Sequence, residues 1–415
     1  MNIVLIRPPF IEVQTGAPIG LAYMQDVLKK KHSVRIIDFS FDVSAAAKFT
    51  CGQFTRNFTL KPNHPAHAYA YANLDRYCTS VANLKPDIVG FHLAYSTTDF
   101  ALAMAKKFKA MGITMIAGGP NATYMAEELY ATGLFQAIVK GYGEEAIETA
   151  LHNSGIFEAP LDRSKDYVPD YSGIEFKRYG GKIPILTTRG CPHACTFCSQ
   201  HLRYYYHSIE SVSKQIAATP PNCGIMLNDS NLNVNPKRTK RLFSAIGKVI
   251  GNRYIHAFGF EVSSKFNSYA AEYTRCNFTE ARIGIESGSL AVRKAMNKPT
   301  FTNVDVRNMI KQMTAAGTTV WAQFIFCYPA ETNKDREETL ALMHAIANEN
   351  PKGKVQIYWF RFVVHHGTED FFKDKYGVVC DTIRDWHNKN YNPKRIAHIA
   401  KKLTPRLPDC ARIYL

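Results

Sequence analysis

The sequence predicts an α/β protein with a doubly wound N-terminal domain, an open (β/α)6 partial barrel and a small C-terminal helical region. Two observations predict this class. Short apolar runs alternate with helical segments along nearly all of the 415 residues, as in parallel sheets with crossover helices. A stretch rich in Pro, Asp and Gly interrupts the alternation once, and the chain exceeds one typical domain. The predicted segments are 1–154 for the first domain, 155–182 for a linker, 183–375 for the barrel and 376–415 for the helical region.

The first domain opens with a βαβ unit. Residues 2–6 and 34–38 are apolar strands, and residues 20–31 between them have helical spacing, which favours a parallel pair. Ligands on such sheets bind beyond the carboxyl ends of the strands. Further strands are predicted at 88–92, 114–117 and 136–139, with helices at 98–111 and from residue 144 onward.

Two glycine-rich turns follow the fourth and fifth strands of this domain. One is Gly118-Gly119-Pro120-Asn121, and the other is Gly141-Tyr142-Gly143-Glu144. Glycine lets the backbone approach a ligand closely, although each turn taken alone is more simply interpreted as an ordinary tight turn. These turns form the candidate ligand-binding edge of the first domain.

Beyond the linker, strands and helices alternate again. Six βα repeats indicate an open (β/α)6 barrel, whose chemistry is expected at the carboxyl ends of the strands, as in full barrels. A basic amphipathic helix at 393–403 is predicted to cover the barrel mouth. The six strands are predicted at 183–186, 224–228, 255–261, 281–286, 320–326 and 355–360.

Three cysteines, Cys191, Cys195 and Cys198, follow the first barrel strand in a short loop. Such a loop can aim three thiolates at three irons of a cubane cluster and leave the fourth iron open, which departs from four-cysteine ferredoxin patterns. Two other interpretations are a zinc site that lacks its fourth ligand and three unrelated buried thiols in a reducing compartment. The remaining seven cysteines form no C-x-x-C pair, so the sequence indicates no second cluster.

Charge and hydropathy limit the possible cellular locations and binding partners of the protein. No stretch approaches 18 consecutive apolar residues, and the first residues run directly into a strand, so we expect a cytoplasmic protein without a membrane partner. The formal net charge of +16 fits an anionic substrate, an acidic electron carrier or nucleic acid. It fits solvated helix faces equally well, so charge alone does not choose among them.

The cysteine spacing, with Phe197 before the third cysteine, resembles the signature of the radical SAM superfamily. That resemblance implies a [4Fe-4S] cluster on the three cysteines, whose free iron chelates S-adenosylmethionine. Reduction of the bound cofactor then yields a 5′-deoxyadenosyl radical. By the same resemblance, the Phe197 side chain shields the cluster and its backbone lies near the adenine.

Further stretches resemble landmarks of this superfamily at the carboxyl ends of barrel strands. The resemblance implies that Glu286 accepts hydrogen bonds from the cofactor ribose and that Ser287 serves the methionyl end. It makes Asp229 and Gln323 additional candidates for cofactor binding, and for Asp229 an equally good interpretation is capping of the next helix. The stretches are 227–231, 284–288 and 324–332, and the last has Cys327 and Ala330 at glycine positions of the family pattern.

The first domain resembles the cobalamin-binding domain that precedes many radical SAM barrels. The resemblance rests on a first strand that ends in Arg7-Pro8-Pro9, followed by the two glycine-rich turns in order. It has no Asp-x-His-x-x-Gly loop to supply a histidine to cobalt, so we assign no axial ligand. A related domain that has lost cobalamin is the alternative. The resemblance makes six residues candidates for cobalamin binding: Gly118, Gly119, Pro120, Gly141, Gly143 and Glu144.

Together the two resemblances imply a cobalamin-dependent (class B) radical SAM enzyme. The majority reaction of that family is methylation of an unactivated carbon. A non-methylating cyclase or rearrangement enzyme with the same cofactors is the main alternative. An RNA-modifying methylthiotransferase is disfavoured because those proteins carry three cluster cysteines in the N-terminal domain and this chain has two there. A cobalamin-binding sensor would not need the cysteine loop.

The expected partners follow from the same resemblance. We expect a small-molecule or peptide substrate, anionic if the positive charge is functional, and an electron donor of the flavodoxin or ferredoxin type. Nucleic acid is disfavoured. Near the sixth barrel strand, His365 and His366 are candidate substrate contacts or proton acceptors, and a merely solvated pair is equally compatible with the sequence.

Overall fold

A computed structural model of the chain describes residues 1–9, 16–40, 65–94, 97–200, 202–380 and 386–414. The chain divides into two compact units, Met1–Lys182 and Ile183–Leu415. Among the described residues, no helix is both long enough and apolar enough to cross a membrane.

The first unit alternates strands and helices as predicted. Its strands are β1 Asn2–Arg7, β2 Ser33–Asp38, β3 Ile88–His92, β4 Thr114–Gly118, β5 Ala137–Val139 and β6 Gly155–Phe157. Its helices are α1 Ile19–Leu28, α2 Pro65–Ala72, α3 Leu74–Ala82, α4 Thr98–Ala110, α5 Pro120–Tyr124, α6 Ala126–Ala131 and α7 Ile147–His152, and a 3-10 turn spans Phe176–Tyr179.

These strands form a parallel sheet in the order β2-β1-β3-β4-β5-β6. Alternate residues of β1 supply two separate cores: Ile3 and Leu5 pack with α1 and α7, whereas Val4 and Ile6 pack with α3 and α4. Helices therefore cover both faces, which is the doubly wound arrangement. The order reverses between β1 and β3, and ligands of such sheets bind at the carboxyl edge beside that reversal.

Residues 155–182, which the sequence analysis assigned to a linker, belong to the first unit. Gly155–Phe157 is the sixth strand of its sheet, and the Gln25 side chain of α1 donates hydrogen bonds to the carbonyls of Asp170 and Ser172, both at 3.0 Å. The density of Pro, Asp and Gly predicted a linker because it ends regular structure. Such a segment can still pack as irregular chain on a domain surface.

The second unit contains the predicted barrel strands β7 Lys182–Ile185, β10 Gly224–Asn228, β11 Tyr254–Glu261, β12 Phe278–Glu286, β13 Thr319–Phe326 and β14 Val355–Arg361. Its short strands are β8 Thr188–Arg189, β9 Tyr205–Tyr206, β15 Val379–Cys380, β16 Trp386–His387 and β17 Ala411–Tyr414. Its helices are α8 Ile209–Ala218, α9 Pro236–Val249, α10 Ala270–Thr274, α11 Leu290–Ala295, α12 Asn303–Ala315, α13 Asn333–Glu349, α14 Glu369–Tyr376 and α15 Pro393–Leu403, with 3-10 turns at Phe266–Ser268 and Thr404–Arg406.

The barrel sheet has the order β7-β10-β11-β12-β13-β14-β17. The six predicted strands are confirmed in chain order, and β17 adds a seventh in parallel beside β14. The helical prediction for residues 376–415 was therefore incomplete, because α15 is joined there by β15, β16 and β17. Two contacts seat this region at the barrel's carboxyl edge: Trp386 Nε1 donates to the Phe362 carbonyl and the Tyr391 hydroxyl to the Glu331 carbonyl, both at 2.7 Å.

A ladder of stacked side chains lines the barrel interior. The Arg282 guanidinium lies 4.0 Å from the ring centroid of Phe258 and 4.3 Å from that of Trp321. Trp321 stacks on Tyr358 at 4.9 Å, and Tyr358 stacks on Tyr414 at 5.4 Å. The ladder crosses from β11 to β17, so it fills the space inside the curved sheet below the carboxyl edge.

Candidate functional site

The three cysteines lie in a β-hairpin. Its stem is β8 paired antiparallel with β9, with Thr188 opposite Tyr206 and Arg189 opposite Tyr205. The sequence predicts a loop after a strand and gives no sign of β9, because a two-residue strand leaves no periodic signal. The stem fixes both ends of the cysteine segment, so its backbone is anchored on two sides.

A buried carboxylate holds the first strand of the hairpin. Asp229 Oδ1 accepts hydrogen bonds from the Thr187 amide at 2.8 Å, from the Thr188 amide and from Thr188 Oγ1 at 2.8 Å. Its other oxygen, Oδ2, is buried with no hydrogen-bond partner in the described part of the chain. Burial raises the pKa of Asp229 to about 6 despite these donors. Asp229 therefore positions the cysteine hairpin, and Asn235 rather than Asp229 caps α9.

A guanidinium completes the same clamp from α9. Arg238 Nη2 donates to the carbonyls of Thr187 and His207, each at 2.9 Å, and thereby joins the chain just before β8 to the chain just after β9. The guanidinium also lies over the Tyr206 ring at 4.5 Å. The first turn of α9 is consequently packed against the stem of the cysteine hairpin.

The cysteine thiols are near enough to one another for their charges to interact. The pKa of Cys195 is raised to about 11, mainly by burial; the Lys298 charge opposes the rise, and the charges of Cys198, Glu286 and Cys191 contribute to it. The Gln200 amide donates to Cys198 Sγ at 3.4 Å, as backbone amides commonly do to ligated sulfur. Thiols of this kind stay protonated at neutral pH until a metal supplies positive charge and displaces the proton.

The three thiols do not form a gathered ligand set for a single metal ion among the described residues. In the described part of the chain, no three histidine, cysteine or acidic side chains are gathered as ligands of one ion. A cubane needs a wider arrangement because each cysteine binds a different iron. The zinc interpretation therefore has no gathered ligand set among these residues, and a [4Fe-4S] cluster on the three cysteines stays a prediction.

Glu286 lies near enough to Cys195 and Cys198 for its charge to act on both thiols, and its predicted contact with the cofactor ribose stays a prediction. It ends β12 with φ of +69°, a backbone conformation that is strained for a residue other than glycine. Its Oε1 accepts from Lys298 Nζ at 2.9 Å, and the same ammonium lies 6.0 Å from the Phe197 ring centroid. Burial opposes the charge of Lys298, but Glu286 and Cys195 favour it and the pKa of Lys298 is raised. Lys298 was missed because nothing in the local sequence links it to Glu286.

Ser287 and Gln323 are two other predicted cofactor-binding residues of the barrel. Ser287 is fully buried, and its Oγ pairs with Thr339 Oγ1 of α13 at 3.1 Å and accepts from the Ser289 amide at 3.1 Å. This side chain therefore joins β12 to α13. Gln323 lies on the interior face of β13, in register with Gly284 on one side and Tyr358 on the other.

The structure adds a polar group that sequence reasoning missed. His193 Nε2 lies 2.6 Å from Glu261 Oε2, which also accepts from Asn231 Nδ2 at 2.8 Å. The same Asn231 amide nitrogen lies 3.8 Å from Cys191 Sγ. Glu261 ends a predicted strand, as Glu286 does, and that shared position was the available signal.

At the end of β13, Glu331 forms a buried pair with Arg336. Glu331 Oε2 accepts from Arg336 Nη1 at 2.7 Å and from the Cys327 amide at 2.8 Å. Burial raises the pKa of Glu331 to about 7. Cys327 itself has φ of +61° at a position where the family pattern has glycine. These contacts hold the turn after β13 without any cofactor.

In the first unit, the two glycine-rich turns meet at the carboxyl edge of β4 and β5. Gly119 has φ of +103°, and a Cβ there would lie 2.8 Å from the Leu93 carbonyl oxygen. The Gly141 amide donates to Thr123 Oγ1 at 3.0 Å, which ties the second turn to α5. The remaining candidates occupy the same edge: Gly118 ends β4, Pro120 begins α5, a Cβ on Gly143 would meet Met24, and Glu144 is buried.

A histidine at the end of β3 lies under these turns. His92 Cδ2 is 3.8 Å from the position a Cβ would take on Gly20 and 3.2 Å from that of Gly119. Burial and the nearby charge of Arg7 lower the pKa of His92 to about 4, so the ring is neutral near pH 7. Its Nδ1 is buried with no hydrogen-bond partner among the described residues.

The two histidines after β14 precede α14. His366 Nδ1 lies 3.0 Å from Glu369 Oε1, and the His365 carbonyl accepts from the Thr368 amide at 3.0 Å. Burial lowers the pKa of His365. A substrate role for either remains a prediction.

Comparisons with known proteins agree with this arrangement. Residues 185–343 match the Radical SAM superfamily. An uncharacterized methyltransferase of Pyrococcus horikoshii is 24% identical over 387 residues, covering 82% of this chain and 77% of that protein. A bacteriochlorophyllide d C-8(2)-methyltransferase of Chlorobaculum tepidum is 24% identical over 341 residues, covering 73% and 71%. The radical S-adenosylmethionine methyltransferase TsrM of Kitasatospora setae, solved with cobalamin and a [4Fe-4S] cluster, has a similar fold with a TM-score of 0.66, 15% identity and coverage of 86% and 75%.

Proposed function

Because this chain is a radical SAM enzyme with its radical SAM domain at residues 185–343, we propose that it methylates an unactivated carbon of its substrate with the help of cobalamin. The observation that carries the proposal is that each unit has a carboxyl edge suited to a cofactor. In the barrel this edge carries the three-cysteine hairpin, and in the first unit it carries the two glycine-rich turns. A [4Fe-4S] cluster, S-adenosylmethionine and cobalamin, when bound, would supply reductive radical formation and methyl transfer.

The residues around the hairpin have distinct proposed tasks. Cys191, Cys195 and Cys198 would each hold one iron, and Phe197 would shield that site from water. Glu286 would orient the ribose of S-adenosylmethionine while it stays paired with Lys298, because a paired carboxylate still has lone pairs for hydroxyl donors. Asp229 acts through the hairpin, and Gln323 would contact the cofactor or the substrate from the barrel interior.

The glycine-rich edge of the first unit is the proposed cobalamin site. A Cβ on Gly119 or Gly143 would fall within 2.8 Å of neighbouring atoms, so the absence of a side chain lets the backbone pack closely at this edge. Gly118, Pro120, Gly141 and Glu144 complete the same edge. The neutral His92 beneath it offers no positive charge to oppose a bound corrinoid. These features fit a ligand that lies across the carboxyl ends of parallel strands.

The proposed substrate is a small molecule or a peptide, and the proposed reductant is a protein of the flavodoxin or ferredoxin type. His365 and His366 are proposed substrate contacts because they follow β14 at the barrel edge. The similar protein of Chlorobaculum tepidum is a bacteriochlorophyllide d C-8(2)-methyltransferase, and this supports the choice of a small-molecule substrate.

The experiment that tests the proposed function is anaerobic reconstitution with iron, sulfide and hydroxocobalamin, followed by metal analysis and absorption spectroscopy. We expect about four irons and about one cobalt per chain, together with dithionite-dependent formation of 5′-deoxyadenosine from S-adenosylmethionine. A variant with Cys198→Ala should lose both iron and 5′-deoxyadenosine. Iron without cobalt would overturn the cobalamin-dependent methylation, and absence of iron would overturn the radical mechanism.

A further inference from the structure

A basic surface adjoins the cysteine hairpin. Four exposed cationic side chains make up this α9 basic patch: Arg203, Lys237, Lys240 and Arg241. Arg203 belongs to the hairpin and precedes β9, and the other three occupy the first two turns of α9. The amino ends of helices in such barrels lie at the carboxyl edge of the sheet, which is the edge of the cysteines.

Arg238 connects the α9 basic patch to the hairpin of the proposed cluster site. Arg238, which lies between the patch residues of α9, contacts the Thr187 carbonyl at 2.9 Å and stacks over Tyr206. Thr187 precedes Cys191 by four residues, a span of at most about 14 Å for an extended chain. A protein bound to the patch would therefore lie against the hairpin that carries the cysteines.

The charges in the patch exceed what folding of α9 needs. Lys240 faces Glu272 at 3.9 Å, but Arg241 lies near enough to Arg238 that the two positive charges repel. Burial and this repulsion lower the pKa of Arg238, against the attraction of Asp229. The nearby acid Glu210 of α8 pairs with Lys214 at 2.7 Å. Like charges one turn apart destabilise a helix slightly, so an acidic partner is a better explanation for them than stability.

We propose that the α9 basic patch is the docking surface for a small acidic electron-transfer protein of the flavodoxin type. The inference rests on the proposed function, because it assumes that the hairpin holds a reducible cluster. At each encounter one electron would pass from a flavin hydroquinone, which becomes a semiquinone, to the cluster, which is reduced by one electron. Complementary charge at the patch would speed association and align the flavin with the hairpin.

The test compares two charge-reversed proteins with the wild type. The patch variant carries Lys237→Glu, Lys240→Glu and Arg241→Glu and leaves Arg238 in place. The control carries Lys394→Glu, Lys401→Glu and Lys402→Glu, which reverses three exposed charges on α15 of the same unit. Both variants have the same net charge, and unchanged iron content and cluster absorption establish that each is folded.

The first readout is stopped-flow reduction of the cluster by photoreduced flavodoxin at low and high salt. We expect the patch variant to be reduced at least about tenfold more slowly than the control at low salt, with a weaker dependence on salt. Reduction by the small neutral 5-deazaflavin radical should be equal in all three proteins. Equal flavodoxin rates in the two variants would overturn the proposal.

The second readout is calorimetric binding of oxidised flavodoxin, which needs no cluster. We expect the wild type and the control to bind and the patch variant to lose binding. If the wild type holds no cluster, the proposed function fails, and this readout still decides whether the patch docks an acidic protein. Preferential binding of single-stranded DNA or of anionic vesicles over flavodoxin by the wild type would contradict the electron-carrier assignment.

Discussion

Asp229 shows how one side chain can set the position of a whole segment of the chain. Its Oδ1 gathers two successive amides and a hydroxyl at the base of the cysteine hairpin. A buried polar group without a hydrogen-bond partner lowers the free energy of unfolding by about 1–3 kcal/mol. Loss of this oxygen would leave several buried donors without a partner at once. Burial removes the carboxylate from water, which is the physical reason for its raised pKa, and its second oxygen has no hydrogen-bond partner among the described residues to offset this.

The raised pKa of Asp229 predicts a pH dependence of stability. The pKa is about 6 in the folded protein and about 3.8 when exposed. Between these values the unfolded chain ionises first, so the folded state loses stability as pH rises. From pH 5 to pH 7 the loss is about 1 kcal/mol, and over the whole range it is about 3 kcal/mol.

Asp229→Asn lacks this titration and is the matched comparison. Urea unfolding of both metal-free proteins, followed from pH 5 to pH 7, should show the variant gaining stability relative to the wild type. Parallel profiles over that interval would contradict a raised pKa for Asp229.

Asn231 predicts a change in cluster potential. Its amide nitrogen lies 3.8 Å from Cys191 Sγ and is oriented by its bond to Glu261. Hydrogen bonds to cluster sulfurs raise the reduction potential, so Asn231→Leu should lower the midpoint potential of the reconstituted cluster. Redox titration followed by electron paramagnetic resonance measures this shift.

The control for Asn231 is Asn233→Leu. Asn233 bonds the Glu261 backbone and Tyr269 with no cysteine contact recorded among the described residues. A potential that moves equally in both variants would show that disturbance of Glu261, rather than the contact to sulfur, is responsible.

The turn after β4 gives a prediction about an element rather than a residue. Gly119→Ala should destabilise the first unit by about 2 kcal/mol or more, because φ of +103° and a Cβ at 2.8 Å from the Leu93 oxygen both oppose it. It should also weaken hydroxocobalamin binding, measured by absorption titration.

Gly112→Ala is the matched control for that turn. Gly112 has φ of +75° with nothing within 4 Å of its added Cβ. It should cost about 1 kcal/mol through backbone conformation alone and should leave cobalamin binding intact. Equal loss of binding in both variants would argue against a ligand site at this turn.

Strand β17 gives a second prediction of this kind. Ile413 and Arg412 are neighbours on the strand, one buried and the other exposed. Ile413→Asp places a carboxylate beside Trp359 of β14 and should cost about 2–4 kcal/mol, whereas Arg412→Ala should stay within about 0.5 kcal/mol. Thermal unfolding checks both, and similar melting temperatures would show that β17 adds little to the sheet.

The chain as a whole was predictable where its signals were local. Apolar runs of four or more residues identified the main strands of both sheets, and the cysteine spacing identified the loop that carries the three thiols. Lys298 could not be found in this way, because no local pattern links it to Glu286, whereas the position of Glu261 at the end of a predicted strand was a signal that could have been used. Strand β9 is two residues long, too short for a periodic pattern, and the four-residue strand β17 contains the exposed Arg412, so it is not a continuous apolar run.

The division into two units predicts independent metal contents. The cysteines and the glycine-rich turns belong to separate compact units, each with its own sheet. Cys191→Ala, Cys195→Ala and Cys198→Ala together should abolish iron and retain cobalt, and Gly119→Ala should do the reverse. Metal analysis of the reconstituted proteins decides this, and joint loss of both metals in either variant would contradict it.

The positions of the tryptophans, one of which belongs to the stacked ladder inside the barrel, determine what fluorescence can report about this protein. All three tryptophans, Trp321, Trp359 and Trp386, belong to the second unit, and the first unit has none. Trp321 lies between a guanidinium and a phenol ring, whereas the other two are buried. Tryptophan fluorescence is therefore an intrinsic probe of the second unit alone. A denaturation curve recorded by that emission will be silent about the first unit, whose unfolding must be followed through tyrosine signals or through the absorption of a bound corrinoid.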